Sequence, residues 1–326
     1  MGTITAGVSA NAIFNSPRLD VQDLQNLAGI YTVLSNSWYE QTYESPNNET
    51  FFSVTNQDQM VLPSSESSGN WTPFQEGNQS NLAVKFGGRM LRQMAVKADI
   101  RLVPLALQWG SYMRAAEREN RLTGRFLSYE EYILGLLMRQ LRHDMEVNLK
   151  WTGRAKGMIK GAPSGSGDAI DGFRTILLKE AEAKKVPTIV GKKLDLVTAA
   201  DEVRREMDMI ANTPALAMKD YILYTSLQHA NLVRRSYNHH HGRDTLAVDH
   251  VGMTSLPDHP NFKIVPQAGL KGQARVYTPK DNFVIGVQGA PEMTLEYRSY
   301  VLFASFLQGI GFQIADIRNV FINNYL

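Results

Sequence analysis

The apolar positions of the chain follow a helical period most clearly between residues 128 and 149. Ser128 stands where a helix N-cap is expected, and Glu131 follows three residues later, which is the spacing of a capping box. Apolar residues then recur on one face of a 3.6-residue period, at Tyr132, Ile133, Leu136, Leu137, Leu141 and Met145. This pattern predicts a single long helix against which other elements pack.

Upstream of this helix the pattern is mostly that of strands and loops. Residues 21–36 predict one helix within turn-like sequence. Residues 45–80 are rich in Ser, Asn, Gln, Thr and Pro and are too polar to form a core of their own. Residues 82–103 show partial alternation of apolar and polar positions, which indicates strands. We interpret residues 50–100 as a long β-rich excursion that finds its partner surface elsewhere.

Downstream, a glycine-rich stretch at residues 161–172 predicts a boundary, after which helices and strands alternate. Residues 171–185 predict a helix, and Thr198 is placed to cap a second one. The buried face of that second helix is predicted to carry Val203, Met207 and Ile210. The remaining expectations are a buried strand (221–226), a helix (227–237), strands broken by glycine turns (261–278 and 282–289) and long antiparallel strands (293–324).

The composition is that of an ordinary folded protein: 326 residues, of which 43% are apolar and 20% charged. There is no cysteine, which excludes disulfides, thiolate metal sites and cysteine nucleophiles. The N-terminus has no signal-peptide pattern, and the most apolar run, residues 301–312, is too short to span a bilayer. We therefore expect no membrane partner.

Charge is unevenly distributed along the chain. Residues 1–80 hold one basic and eight acidic residues, a net charge of −7, whereas residues 81–160 hold fifteen basic and seven acidic residues, a net charge of +8. One interpretation is two separate solvated surfaces. The other is that an acidic arm lies on a basic surface, within one chain or between copies, because complementary potentials guide association.

Five of the seven histidines fall between His239 and His259. In an extended loop, His239 and His241 share a face, so they are weak candidates for a metal site, with Asp244, Asp249, His250 and His259 nearby. The spacing matches no strong zinc pattern, and a solvated or subunit-contact loop is the favoured interpretation. The chain also lacks a phosphate-binding loop and a nucleophile elbow. We predict no cofactor and no enzyme.

The order of several segments resembles a known family. Residues 96–114 and 126–153 are similar to the end of an extended loop and the spine helix that follows it. Residues 171–185, 196–210 and 221–237 resemble an axial domain. Residues 261–287 and 298–323 resemble the return into a peripheral domain. This order resembles that of the major capsid protein of tailed double-stranded DNA bacteriophages, the Hong Kong 97-type shell fold that encapsulins share.

The resemblance implies an α+β fold with an N-terminal arm (1–49), an extended β-hairpin loop (50–100), a peripheral domain with the spine helix (101–162 and 275–326) and an axial α/β domain (163–274). It implies a structural subunit that forms hexamers and pentamers of an icosahedral capsid around double-stranded DNA, assembled in the host cytoplasm. The implied partners are a portal protein and scaffolding and decoration proteins. The alternatives are an encapsulin-like compartment and a metal-dependent enzyme using residues 239–250.

Contacts between copies are expected at charged residues of the loop and the following helix, namely Arg89, Arg92, Arg114, Arg118, Glu66 and Glu76. Some relatives cross-link a loop lysine covalently, but no lysine lies between Phe51 and Val84, so a non-covalent shell is expected. Some relatives also carry a scaffolding segment before the arm, for which this chain has no room, so either a separate scaffold or removal of such a segment before this numbering is expected. The axial position implied for the histidines would repeat them around a five- or six-fold axis, where protonation adds repulsion.

Overall fold

The computed structural model describes residues 53–55, 59–68, 83–102, 109–124, 129–155, 167–212, 219–241, 254–298 and 301–326. The predicted arm (1–49), the helix expected at residues 21–36 and Glu76 lie outside these residues. The helices are α1 (Trp109–Thr123), α2 (Tyr129–Asp144), α3 (Phe173–Glu182), α4 (Ala199–Ala211) and α5 (Leu227–His241). The strands are β1 (Ser53–Thr55), β2 (Gln59–Ser68), β3 (Ala83–Arg92), β4 (Met94–Leu102), β5 (Thr188–Ile189), β6 (Tyr221–Thr225), β7 (Thr254–Leu256), β8 (His259–Pro266), β9 (Arg275–Pro279), β10 (Phe283–Arg298), β11 (Val301–Ile314) and β12 (Phe321–Asn323).

The long helix predicted from periodicity is confirmed. Helix α2 begins at Tyr129, directly after Ser128, and continues as a π-helical turn over Met145–Leu149. The predicted apolar face is the buried one, since Ile133, Leu137 and Met145 are all buried. The capping contacts expected of Ser128 lie outside the described residues.

The prediction that the Thr198 side chain caps helix α4 is wrong. Thr198 precedes the helix, but its side chain makes no capping hydrogen bond to it. Instead the Asp195 Oδ1 accepts hydrogen bonds from the backbone N–H groups of Val197 and Thr198 and from the Thr198 hydroxyl. These bonds, first the one from the Thr198 backbone, lower the pKa of Asp195. The turn before the helix is therefore organised by a carboxylate rather than by a threonine cap.

A six-stranded sheet in the order β5-β12-β9-β6-β8-β7 is the centre of the larger part of the described chain. All five residues of β6 are buried, and they alternate between two cores. Ile222 and Tyr224 pack with α3 on one face, and Tyr221 and Leu223 pack with α4 and α5 on the other. The sequence prediction of a buried strand here is confirmed, as are Val203, Met207 and Ile210 as core positions.

Two further strand assemblies complete the described architecture. Strands β1, β10, β11 and β4 form a four-stranded sheet in that order, which confirms that the predicted last third of the chain forms long strands. Strands β2 and β3 pair antiparallel, from Gln59 opposite Arg92 to Ser68 opposite Ala83. The β-rich excursion predicted at residues 50–100 thus contains a long hairpin. No helix among the described residues combines the length and apolarity needed to cross a bilayer.

The described residues divide into two compact units. The smaller holds residues 97–142 and 290–307, and its contacts include the Ser305 hydroxyl donating to Asp99 at 2.6 Å. The larger holds residues 53–96, 143–289 and 308–326, and it contains the six-stranded sheet and the β2–β3 hairpin. The domain bounds implied by the family resemblance stay a prediction.

Candidate functional site

The histidine cluster does not form the extended loop expected from the sequence. Helix α5 continues beyond Tyr237 to His241, so the three consecutive histidines form its last turn. Side chains two positions apart on a helix are rotated by about 200° around the helix axis, so they point to nearly opposite sides. His239 and His241 therefore do not share a face, which removes the geometric reason for considering them as a metal pair.

The individual histidines contact different neighbours. The His240 Nε2 lies 2.8 Å from the Val197 carbonyl oxygen, and the His241 ring packs on Tyr237 with centroids 4.4 Å apart. His259 lies on β8, where its Nε2 is 3.0 Å from Asp208 Oδ1. Within the described ranges, no three His, Asp or Glu side chains come close enough to hold a metal ion. Asp244, Asp249 and His250 lie outside those ranges.

The most highly organised polar cluster is buried and joins α4 to β9. Arg275 and Glu206 are both 0% exposed, and the guanidinium bonds the carboxylate at two points, Nη2 to Oε1 at 2.6 Å and Nε to Oε2 at 2.8 Å. The Tyr277 hydroxyl donates to Glu206 Oε2 at 2.6 Å. Burial alone would lower the pKa of Arg275, but its bonds to Glu206 raise it above the ordinary value. Burial, and then the charge of Glu206, raises the pKa of Tyr277.

This cluster also fixes the segment that follows edge strand β5. The Arg275 Nη2 donates to the Lys192 carbonyl at 3.1 Å, and the Lys192 N–H donates to Glu202 Oε1 at 2.8 Å. A Cβ at Gly191 would clash with both Arg275 and Glu206, so only glycine permits the chain to pass this close. The cluster therefore connects a strand, a helix and a loop, which is a structural role. Arg275, Glu206 and Tyr277 are each 0% exposed, so the cluster presents no solvent-accessible surface to a substrate.

A second organised centre surrounds Trp151, directly after the π-helical turn. Its ring meets those of Phe173, Tyr224 and Phe283 edge to face, with centroids 5.3 to 5.9 Å apart. The indole N–H donates to Gln267 Oε1 at 3.1 Å, so the buried donor is satisfied. This centre ties the end of the long helix to α3 and to the central sheet.

The β2–β3 hairpin presents one packed face and one exposed face. Met60, Leu62 and Leu91 lie on the packed face, in contact with Val284 and Ala315. Val61 and Met90 stand directly opposite each other on the other face, where they are 60% and 44% exposed. Two-stranded hairpins are marginally stable alone in water. An apolar pair of this kind is therefore a candidate contact surface.

The charged residues predicted to make contacts between copies occupy different environments. Arg89 lies on the packed hairpin face, where its Nη2 bonds Glu180 at 2.8 Å and Gln313 at 3.2 Å. Arg92 is exposed beside Met90, its Nε 3.0 Å from the sulfur. Arg114 and Arg118 are exposed on α1, and Glu66 stands opposite Lys85 in the hairpin register. A role for these residues between copies stays a prediction.

Sequence reasoning missed Glu206, Arg275 and Trp151. Glu206 follows two arginines, Arg204 and Arg205, on an amphipathic helix, so it resembles a solvated position. Its partner lies 69 residues away, and no local pattern links the two. The available signal was weak: an arginine between two apolar residues, Ala274 and Val276, at the start of a strand.

Comparisons with known proteins concern the fold. No protein-family model and no curated protein sequence matches the chain. A chain of the satellite phage P4 procapsid, a structure that includes the size determination protein, matches with a TM-score of 0.55 and 11% identity, covering 88% of this chain and 98% of that one. The capsid of Myoviridae phage XM1 matches with a TM-score of 0.44 and 9% identity, over 83% of this chain and 88% of that one. A virus-like particle from Pyrococcus furiosus matches with a TM-score of 0.43 and 7% identity, over 87% and 93%. At this identity the procapsid likeness shows that the chain has a mixed helix and sheet fold of the phage capsid kind.

Proposed function

We propose that the chain is the major capsid protein of a tailed bacteriophage, a structural subunit without catalytic activity. The observation that carries the proposal is the likeness to the P4 procapsid chain, which extends over 88% of this chain and 98% of the other. A fold alone does not fix a function. Here, however, the order of segments in the sequence resembles the same family independently.

The subunit would assemble into hexamers and pentamers of an icosahedral shell around double-stranded DNA. A portal protein, and scaffolding and decoration proteins, would be its further partners, and the virion its location. An encapsulin-like compartment is the less favoured alternative, because the P4 procapsid, which matches with a TM-score of 0.55, is a phage particle. The metal-enzyme alternative required His239 and His241 to share a face. It is not favoured, because the two side chains point in different directions on helix α5.

The β2–β3 hairpin is the surface we propose for contact with a neighbouring subunit. Its packed face is held by Leu62 and Leu91, so the hairpin is anchored to its own subunit. Its other face exposes Val61 opposite Met90, and burying such side chains against a second copy stabilises assembly through the hydrophobic effect. Arg92, exposed on the same face, offers charge for an acidic partner surface.

Electron microscopy of the expressed full chain tests the function, and two substitutions test the surface. We expect wild-type particles tens of nanometres across, roughly the size that many subunits of this mass enclose. V61D is expected to abolish particles while the circular dichroism spectrum stays unchanged. V190D is the matched control, since Val190 is 76% exposed directly after strand β5, away from the hairpin in sequence, and it is expected to assemble. A wild-type chain that remains monomeric overturns the function, whereas V61D particles of normal yield overturn only the surface.

A further inference from the structure

One face of helix α5 carries hydrogen-bond donors and positive charge but no negative charge. The buried positions of the helix are His229, Val233, Ser236 and Tyr237. Residues on the opposite face recur every three or four positions, so their side chains form one continuous row. This row, here called the α5 stripe, holds a half-buried asparagine and five exposed residues: Asn238, then Gln228, Asn231, Arg234, Arg235 and His239.

The lack of carboxylates distinguishes the α5 stripe from an ordinary solvated helix face. Exposed helix faces are commonly stabilised by pairs of opposite charge three or four positions apart. Helix α4 shows this pattern, since Arg204 bonds Asp201 and Arg205 bonds Glu202. Helix α5 contains no Asp or Glu in its fifteen residues. Its two arginines therefore have no partner of opposite charge on their own helix.

The carboxylates of α4, which packs in the same core as α5, do not neutralise the stripe either. Besides Asp201 and Glu202, they are Glu206, which bonds Arg275, and Asp208, which lies 3.0 Å from His259 Nε2. Within the part of the chain that the structure describes, the side chains of Arg234 and Arg235 make no hydrogen bond or ion pair. The α5 stripe thus keeps two positive charges that no described carboxylate neutralises.

The composition of the α5 stripe indicates the kind of partner that it fits. The core of a protein–protein interface is apolar and aromatic and is depleted in charge. Surfaces that bind nucleic acid are polar and positively charged instead. The stripe has no apolar member, and Leu227, 59% exposed, lies only at its N-terminal end. Arginine bonds phosphate at two points, and amide side chains donate further bonds to phosphate oxygens. This chemistry fits a nucleic acid backbone.

We propose that the α5 stripe binds the phosphate backbone of double-stranded DNA without sequence preference. From Gln228 to His239 the stripe is about 17 Å long, at 1.5 Å per residue. A duplex carries one phosphate charge per about 1.7 Å of its axis, so phosphates are available to both arginines on any sequence. That this duplex is the packaged genome rests on the proposed function, under which the stripe lines the inside of the shell.

Fluorescence anisotropy of a labelled DNA duplex with the dissociated full-length chain tests the contact. For the wild type we expect binding that weakens as salt rises from about 50 to 200 mM, with equal affinity for duplexes of different sequence. R234Q/R235Q removes two phosphate contacts, so the slope of log affinity against log salt should become shallower by about two. R234K/R235K keeps both charges and should keep the slope.

K192Q/K193Q is the control matched in net charge, because it removes two exposed lysines from the loop after β5. It is expected to keep the wild-type slope. A wild-type chain that does not bind the duplex overturns the proposal. An equal change of slope in R234Q/R235Q and K192Q/K193Q also overturns it, because attraction by net charge alone would then account for the binding.

Electron microscopy separates this contact from one between subunits. R234Q/R235Q is expected to form particles of wild-type size and yield. Failure to assemble, with an unchanged circular dichroism spectrum, would assign the stripe to contacts between copies and overturn the proposal.

The position of the stripe in a shell is tested with closed wild-type particles. They should bind less added duplex than the same mass of dissociated chain, because the stripe then faces the lumen. Equal binding would place the stripe outside and reject contact with packaged DNA. A wild-type chain that binds the duplex but never assembles rejects the proposed function and leaves the DNA contact standing.

Discussion

The guanidinium of Arg275 donates two hydrogen bonds to the carboxylate of Glu206, Nη2 to Oε1 at 2.6 Å and Nε to Oε2 at 2.8 Å. Neither side chain is exposed to solvent. A two-point pair of this kind fixes the direction of both side chains. It joins helix α4 to strand β9 across a sequence separation of 69 residues. The pair thus specifies where the helix lies on the sheet.

Removing one partner of this pair is expected to be costly. E206Q leaves a buried guanidinium without its counter-charge, which lowers the free energy of unfolding by about 3–5 kcal/mol. Urea unfolding of the dissociated chain, followed by circular dichroism, measures the change. D201N is the matched control on the same helix, since Asp201 pairs with Arg204 at the surface and is expected to contribute about 0–1 kcal/mol. Equal effects of the two substitutions would contradict a buried pair.

Gly191 is expected to be intolerant of a methyl group. G191A drives Cβ into Arg275 and Glu206, neither of which can move without breaking the pair, so a loss of roughly 1–3 kcal/mol is expected. G135A is the control: Gly135 lies on α2 with open space around it, and alanine favours a helix interior by about 1 kcal/mol. Thermal melting of both variants should therefore shift in opposite directions.

The bond between Trp151 and Gln267 can be tested by a double-mutant cycle. Q267L leaves the buried indole N–H without its acceptor at 3.1 Å, which costs about 1–3 kcal/mol. In the W151F background that donor no longer exists, so Q267L is expected to cost less there. Urea unfolding of the four variants gives the coupling free energy. Additive effects would show that the hydrogen bond contributes nothing.

Glu180 is expected to contribute to the loss of folding stability in acid. Burial raises the pKa of its carboxyl, but the bonds from Arg89 and Lys185 outweigh this and lower the pKa below the ordinary value of 4.5. A depressed carboxyl pKa stabilises the folded state above pH 4.5, and this contribution is lost as pH falls below it. E180Q is expected to flatten the decline of stability between pH 5 and 3 by up to about 1 kcal/mol. E182Q, exposed on the same helix, should follow the wild type.

Charge on helix α1 is expected to affect assembly. Arg114 and Arg118 are exposed one turn apart, in the segment whose net charge opposes that of residues 1–80. Under the proposed function, R114E/R118E should slow assembly at low salt, measured by light scattering, with the difference shrinking as salt rises. R89M should lower stability, because Arg89 bonds Glu180 within the chain. Assembly of the double variant at the wild-type rate would reject the intersubunit role.

The sequence predicted elements wherever apolar periodicity was strong. Helix α2 and strand β6 could be located because their apolar residues alone specify one face or a fully buried strand. The end of α5 could not, since Asn238 and three histidines carry no apolar period, although the backbone continues as helix. Thr198 was a reasonable cap by residue type, yet its hydroxyl donates to Asp195, and the Ala200 N–H at the start of α4 donates to the Ser236 hydroxyl instead.

The buried polar pairs were beyond sequence reasoning for a different reason. Glu206 and Arg275 neutralise each other's charge, and their proximity is a product of the completed sheet. The packed face of the hairpin could not be predicted either. Alternation assigns Val61 and Leu62 to opposite faces, but it does not say which of the two faces packs against the rest of the chain. The contacts of Leu62 and Leu91 with Val284 decide it.

Strand β12 lies between β5 and β9 in the central sheet, pairing Ile322 with Thr188 on one side and with Val276 on the other. During synthesis, β5 emerges from the ribosome more than a hundred residues before the strand that pairs with it. The sheet therefore cannot close while the chain is growing, and its closure depends on contacts distant in sequence, which fold slowly. Nascent chains would thus lack a finished sheet, so folding of each subunit is completed only after translation has passed residue 323.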